Sequence, residues 1–310
     1  MRRSQRFFTF CLVLLTACSL RAQDVHYTLH DYAPLWLNPA NTGAFSGSIR
    51  AGGIYRGQWY SLNGIQSPTL YADAPLGFAL RKQDWIGVGL SMVNDQAGEL
   101  GITQNFFGFS GAYHLSLDKK RQNIITLGVQ YGSISYGFNA EQQPVQQRTI
   151  EEALGGGGQD GELMLTNPNQ MGGNDNQSVN DLNVGLKAKI LLDAKKNNVF
   201  EAGVSFLHLT NPERRSLIQT VRDTMMNPDP TPPVDAGRDS RRRKGTIHAN
   251  ARLDLEMSEK WRFQPSVFFQ NSASSSSVSL QAWGQRALKK DLNLRLGLGY
   301  RTSDAAKVLV

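Results

Sequence analysis

Few residues in this chain are of types that do chemistry, and their placement is poor for catalysis. The five histidines, His26, His30, His114, His208 and His248, are scattered, and none sits in a recognisable nucleophile or metal-binding motif. Gly155–Gly158 is followed by no Lys-Ser/Thr, so it is no phosphate cradle. "NPNQMGGNDNQSVND" (Asn167–Asp181) offers oxygen ligands, but without the calcium-loop spacing or its terminal Glu it reads as a solvated loop. "NPDPTPPVDAGRDSRRRKG" (Asn227–Gly245) gathers Arg238, Arg241, Arg242, Arg243 and Lys244 behind a proline-stiffened stretch. It fits an outer loop, with a contact to acidic glycans or a partner as the sharper reading. No acid–base–nucleophile set is legible, so the expectation is a non-enzymatic chain with no catalytic, cofactor-binding or metal residues.

The net charge of +7 invites a nucleic-acid reading, and its distribution dismisses it. Arg2, Arg3, Arg6 and Arg21 fall in the first 22 residues, which carry no acid; the remainder holds 29 basic against 26 acidic residues. So weak and scattered an excess makes no phosphate-binding stripe. Residues 1–22 have the basic, apolar and small-residue zones of a secretory signal, with a cut expected near Ala22-Gln23. Leu15-Thr16-Ala17-Cys18 also resembles a lipoprotein cleavage box, which would make Cys18 an acylated N-terminus on a surface protein with a soluble sheet. Cys11 and Cys18 are the two cysteines, so an ordinary cut leaves a secreted chain with no disulfide.

What must position any site is therefore the repeating element, and that element has period two. In "DLNLRLGLGYR", Leu292, Leu294, Leu296, Leu298 and Tyr300 share one face, while Asn293, Arg295, Gly297 and Gly299 share the other. The same alternation runs through Ile86–Met92, Ile125–Tyr131, Leu182–Ile190 and Ile247–Leu255, with weaker cases at Ser67–Ala74 and Ser276–Arg286. About eleven strands result, each near ten residues or longer, the length that crosses an outer-membrane hydrocarbon layer. Turns after strands four, six, eight and ten are short and charged, whereas long excursions at 137–180 and 210–245 follow strands five and seven. Short turns on one side and long loops on the other is the layout of a transmembrane antiparallel up-and-down β-barrel. The expected organisation is a signal peptide at 1–22, a pre-barrel segment at 23–46 that covers the periplasmic mouth or plugs the lumen, and an all-β barrel at 47–310. A secreted β-sandwich is the soluble alternative.

"LNPANTG" (Leu37–Gly43) and "YRGQW" (Tyr55–Trp59) add a resemblance, continued by "GVGLSMVNDQAG", "AYHLSL", "DLNVGL", "AGVSFLHLTNP" and "LGLGYRTSDA" in order along the chain. The sequence resembles the PorP/SprF family of type IX secretion outer-membrane proteins from Bacteroidetes. The resemblance implies a fourteen-stranded barrel beside the translocon. It also implies a part in exporting and attaching cargo with C-terminal sorting domains, gliding adhesins included, and partners among the periplasmic ring components and a peptidoglycan-linked lipoprotein. About eleven strands and the start of a twelfth at Lys307–Val310 fall short of fourteen, so the expectation is a C-terminally truncated barrel. A passive diffusion porin is the alternative function. The residues expected to carry structure or partner contacts are Asn38, Pro39, Gly43, Tyr55, Arg56 and Trp59. Arg56 is expected to point inward and pair with Glu201 or Asp254, and Trp59 to anchor at the outer interface.

Overall fold

The computed structural model describes residues 27–58, 64–97, 102–138, 177–212, 243, 245–272, 275–289, 292–302 and 305–309. The expected signal segment, Cys18, Trp59, the glycine run and most of both long loops lie outside the described residues.

The alternating stretches form twelve strands: β1 (Arg50–Gln58), β2 (Ile65–Leu76), β3 (Trp85–Ala97), β4 (Ile102–Ser116), β5 (Ile124–Phe138), β6 (Gln177–Asp193), β7 (Asn198–Leu207), β8 (Thr246–Ser258), β9 (Trp261–Ser272), β10 (Ser275–Lys289), β11 (Leu292–Arg301) and β12 (Ala305–Leu309). Each pairs antiparallel with its sequence neighbours in one sheet ordered β1 to β12. Among the described residues, β1 and β12 are the edges and share no ladder. The first long excursion is shorter than expected from sequence. Strand β5 runs on to Phe138 and β6 begins at Gln177, because Ile134, Tyr136 and Val179 face inward and pack into one apolar cluster there while Ser133, Ser135 and Ser178 take the outward parity.

The apolar face of the sheet is uncovered. Leu292, Leu294, Leu296 and Leu298 are 54%, 45%, 52% and 67% exposed, and Leu90, Phe109, Leu127 and Leu186 stand out of the same outer surface on other strands. A sandwich would bury such a face against a second sheet; here its solvent is lipid, with backbone groups paired strand to strand. Among the described residues no helix is long and apolar enough to cross a membrane.

The opposite face is the inner one, and it curves around residues 27–43. A 3₁₀ turn (His30–Tyr32), the one-turn helix α1 (Pro34–Leu37) and a second 3₁₀ turn (Pro39–Asn41) lie inside. Single residues of this short segment touch β2, β4, β6, β7, β8, β9 and β10, which requires the sheet to curl around it. The inner wall is not polar throughout, as alternation alone suggested. Val93, Phe106 and Ile134 point inward and pack against Tyr27, Ala33 and Trp36, because the enclosed segment brings its own apolar side chains to bury.

Candidate functional site

The enclosed segment is shaped by its own prolines and amides. Pro34 opens α1 at a position where a missing N–H costs nothing. Asn38 ends it in an extended conformation, and its side-chain oxygen accepts the Ala40 N–H at 2.8 Å to cap the next turn, which Pro39 opens. Gly43, at φ +69°, then turns the chain towards β1. The two amide hydrogens of Asn38 are donated outward to the Leu186 and Val204 carbonyls, at 3.1 and 3.2 Å. Those residues are cross-strand partners on β6 and β7, so one side chain clasps two adjacent strands.

The wall is cut to receive this loop. Gly128 on β5 and Gly185 on β6 face each other in register. A Cβ at Gly185 would fall on Asn38 Oδ1, and one at Gly128 would fall on the Pro39–Ala40 peptide. On β3, a Cβ at Gly87 would fall on the Thr42 carbonyl. Strand glycine normally weakens a sheet; here it marks where another backbone approaches.

Fixed charges hold both ends. Arg50 forks onto Asp73 at 2.9 and 2.7 Å and donates to the Asn41 carbonyl at 3.0 Å, while Asp73 accepts the Gly43 N–H at 2.7 Å. Further round, Glu201 is shared by Lys187 at 3.1 Å and Arg252 at 2.9 Å. Lys187 donates to Asn41 Oδ1 at 3.0 Å, and Arg252 lies 3.9 Å from Asp31. Charges this enclosed persist only when paired, and the pairs here reach the segment at each end.

Two histidines complete the seat. The His114 Nε2 proton goes to the Thr42 carbonyl at 2.8 Å, and the His248 Nδ1 proton goes to the Leu37 carbonyl at 3.1 Å, which Ser205 also reaches at 2.8 Å. Trp85 stacks on His114 with 4.4 Å between ring centres and donates its indole N–H to the Gly43 carbonyl at 3.0 Å. Tyr27 bonds through its hydroxyl to Thr69 and meets Trp36 edge-on at 6.4 Å, and Gln281 donates to the Thr28 carbonyl at 2.6 Å. Such a set of contacts immobilises a segment across a lumen.

A family model described as type IX secretion system membrane protein PorP/SprF matches residues 19–310. The chain belongs to the PorP/SprF family. No curated protein matches it. Among solved structures, the fold is similar to a FadL homologue of Pseudomonas aeruginosa, at 8% identity and a TM-score of 0.40, covering 82% of this chain and 65% of that one. It is also similar to the β domain of the Bordetella autotransporter BrkA, at 11% identity and a TM-score of 0.37, covering 84% of this chain and 92% of that one. This chain thus spans about 65% of the length of the FadL homologue.

In this PorP/SprF protein, three of the residues singled out from sequence come together: Asn38, Pro39 and Gly43 are the core of the seated loop. Tyr55 lies apart from them, exposed on the outward parity of β1. Arg56 is on the inward parity, but it donates to Gln58 at 2.6 Å and reaches neither Glu201 nor Asp254. The expected pairing fails because β1 is an edge strand while β7 and β8 lie far along the sheet; there Arg252 takes Glu201 and Arg262 takes Asp254 at 2.7 Å. Trp59 lies outside the described residues. Sequence reasoning missed Arg50, Asp73, Lys187, Arg252, Trp85 and the wall glycines. A signal was present: Gly87, Gly128 and Gly185 recur on the inward parity of strands that are otherwise well formed.

Proposed function

We propose that this outer-membrane, secretion-associated barrel is a closed, non-enzymatic accessory of type IX secretion. It binds or presents cargo bearing C-terminal sorting domains and docks periplasmic machinery through its short turns and enclosed segment. The observation that carries the reading is the seat of residues 27–43, joined to the wall by side-chain bonds from strand after strand. A diffusion porin needs a continuous polar path, whereas a fixed interior leaves the rims and outer loops as the working surfaces. Asn38, Pro39 and Gly43 act by holding that interior, and Tyr55 and Trp59 by setting depth in the bilayer.

A gentle-detergent pulldown of the tagged protein from its own host tests the cargo and docking roles. Recovery of sorting-domain cargo together with periplasmic ring components is expected; recovery of neither would overturn them. Planar-bilayer recording tests the closed interior, with large steady currents from the intact protein counting for the porin instead.

A further inference from the structure

The turns joining β2 to β3 (77–84) and β4 to β5 (117–123), both on the short-turn side, are folded into one unit. Arg121 crosses between them, donating to the carbonyls of Gln83 at 2.8 Å and Lys82 at 3.3 Å, with its guanidinium 5.2 Å from the centre of the Trp85 ring. Arg81 crosses the other way, donating to the Ser116 carbonyl at 2.8 Å and to Asp84 at 2.9 Å. Both acids are taken up internally. Asp84 accepts from Arg81, from the Tyr113 hydroxyl at 2.7 Å and from the Ser116 N–H at 3.0 Å. Asp118 accepts the N–H groups of Lys120, Gln122 and Asn123. These bonds hold both carboxyls below the usual carboxylate range.

The exterior of the unit is of another composition. Lys82, Lys119 and Lys120 are exposed, beside Phe78 at 65%, Leu80 at 92% and Leu117 at 59% exposure. Leu117 continues the outward parity of β4, below Leu115 and Tyr113, so the apolar part joins the lipid-facing belt without a break. Apolar bodies flush with the belt and ammonium groups just beyond it match the boundary between acyl chains and phosphates.

We propose that this double turn is a binding site for anionic phospholipid headgroups of the periplasmic leaflet. Lys82, Lys119 and Lys120 meet the phosphates, and Phe78, Leu80 and Leu117 meet the first carbons of the chains. The internal latches keep the lysines gathered and their nearest acids turned away. A lipid fits better than an acidic protein docking from below, because the apolar residues are continuous with a surface that already faces tails. The site depends on the membrane assignment and not on the cargo role, so its test is separate from the pulldown.

The test reconstitutes the full chain in nanodiscs of phosphatidylcholine with phosphatidylglycerol and reads the lipids retained after gentle extraction by native mass spectrometry. The intact protein is expected to retain phosphatidylglycerol preferentially, less so at high salt. The variant Lys82→Gln/Lys119→Gln/Lys120→Gln should lose that preference, on a scale of about fivefold per lysine for cations at an anionic surface. Lys195→Gln/Lys196→Gln/Lys260→Gln, in the short turns after β6 and β8, is the charge-matched control and should keep most of it. Heat-modifiable gel mobility checks that each variant is folded. Equal retention by the intact protein and the triple variant would overturn the site. An equal loss in the control would do the same by reducing the effect to net charge. A triple variant that keeps its lipids but loses a co-purifying periplasmic protein would assign the surface to that protein.

Discussion

Asn38 shows how much of the interior depends on single atoms. Its oxygen caps its own turn and its two hydrogens clasp two strands, so no other side chain of its size satisfies all three contacts. Asn38→Ala should lower stability in detergent by about 2 kcal/mol, near one net hydrogen bond for each strand released, as read by thermal unfolding. Gly185→Ala should cost about 1–3 kcal/mol, since its methyl lands on Asn38. Gly111→Ala, where the nearest atom is 4.0 Å away, should be silent in the same assay. At the rim, the bonds from Arg81, Tyr113 and Ser116 depress the acidity constant of Asp84 in the folded state. The stability this contributes is fully present above the ordinary carboxylate range and is lost as pH falls through the lowered folded value. Hydrogen exchange in turns 77–84 and 117–123 should therefore quicken in acid; Asp84→Asn should remove Asp84's share of that dependence, and the share of Asp118 in turn 117–123 should remain.

At the scale of elements, the strands were legible, and the pre-barrel segment was legible as a unit but not in its path or its partners. Alternation is local, so Leu292–Tyr300 announces its own two faces. The path of Leu37–Gly43 is fixed by partners such as Leu186 and Val204, 148 and 166 residues away, and no spacing rule reaches that far. The turn at Asn38-Pro39 could be read from sequence, but its seat could not. The inward glycines carried the missing information, in the form of a gap where side chains would be. The inward apolar patch of Val93, Phe106 and Ile134 was hidden for a related reason: its counterpart, Tyr27 and Trp36, lies in the segment whose position was unknown. If the segment is what blocks the lumen, in-frame deletion of residues 27–43 should convert a near-silent protein in planar bilayers into one with steady conductance. Glu201→Gln should also loosen the segment. It leaves Lys187 and Arg252 without their shared anion, a loss of about 1–3 kcal/mol once the figure for a broken buried pair is discounted for their partial exposure.

At the scale of the molecule, the outer face decides what solvent the protein can live in. Leucine after leucine stands out from β11, and comparable rows cover β3 to β6. Transferred to plain buffer, that surface should drive aggregation, and light scattering with and without detergent would show it. A monodisperse, folded protein in the absence of any amphiphile would remove the membrane assignment and everything built on it.

The glycine-lined seat has one more consequence, which concerns time rather than shape. Asn38 is gripped from within by β6 and β7, and Leu37 by β8, although the loop precedes every strand in the chain. Those bonds cannot exist before the strands that supply them, so in pulse-labelled refolding the amides of residues 37–43 should gain protection together with β6, β7 and β8 rather than ahead of them.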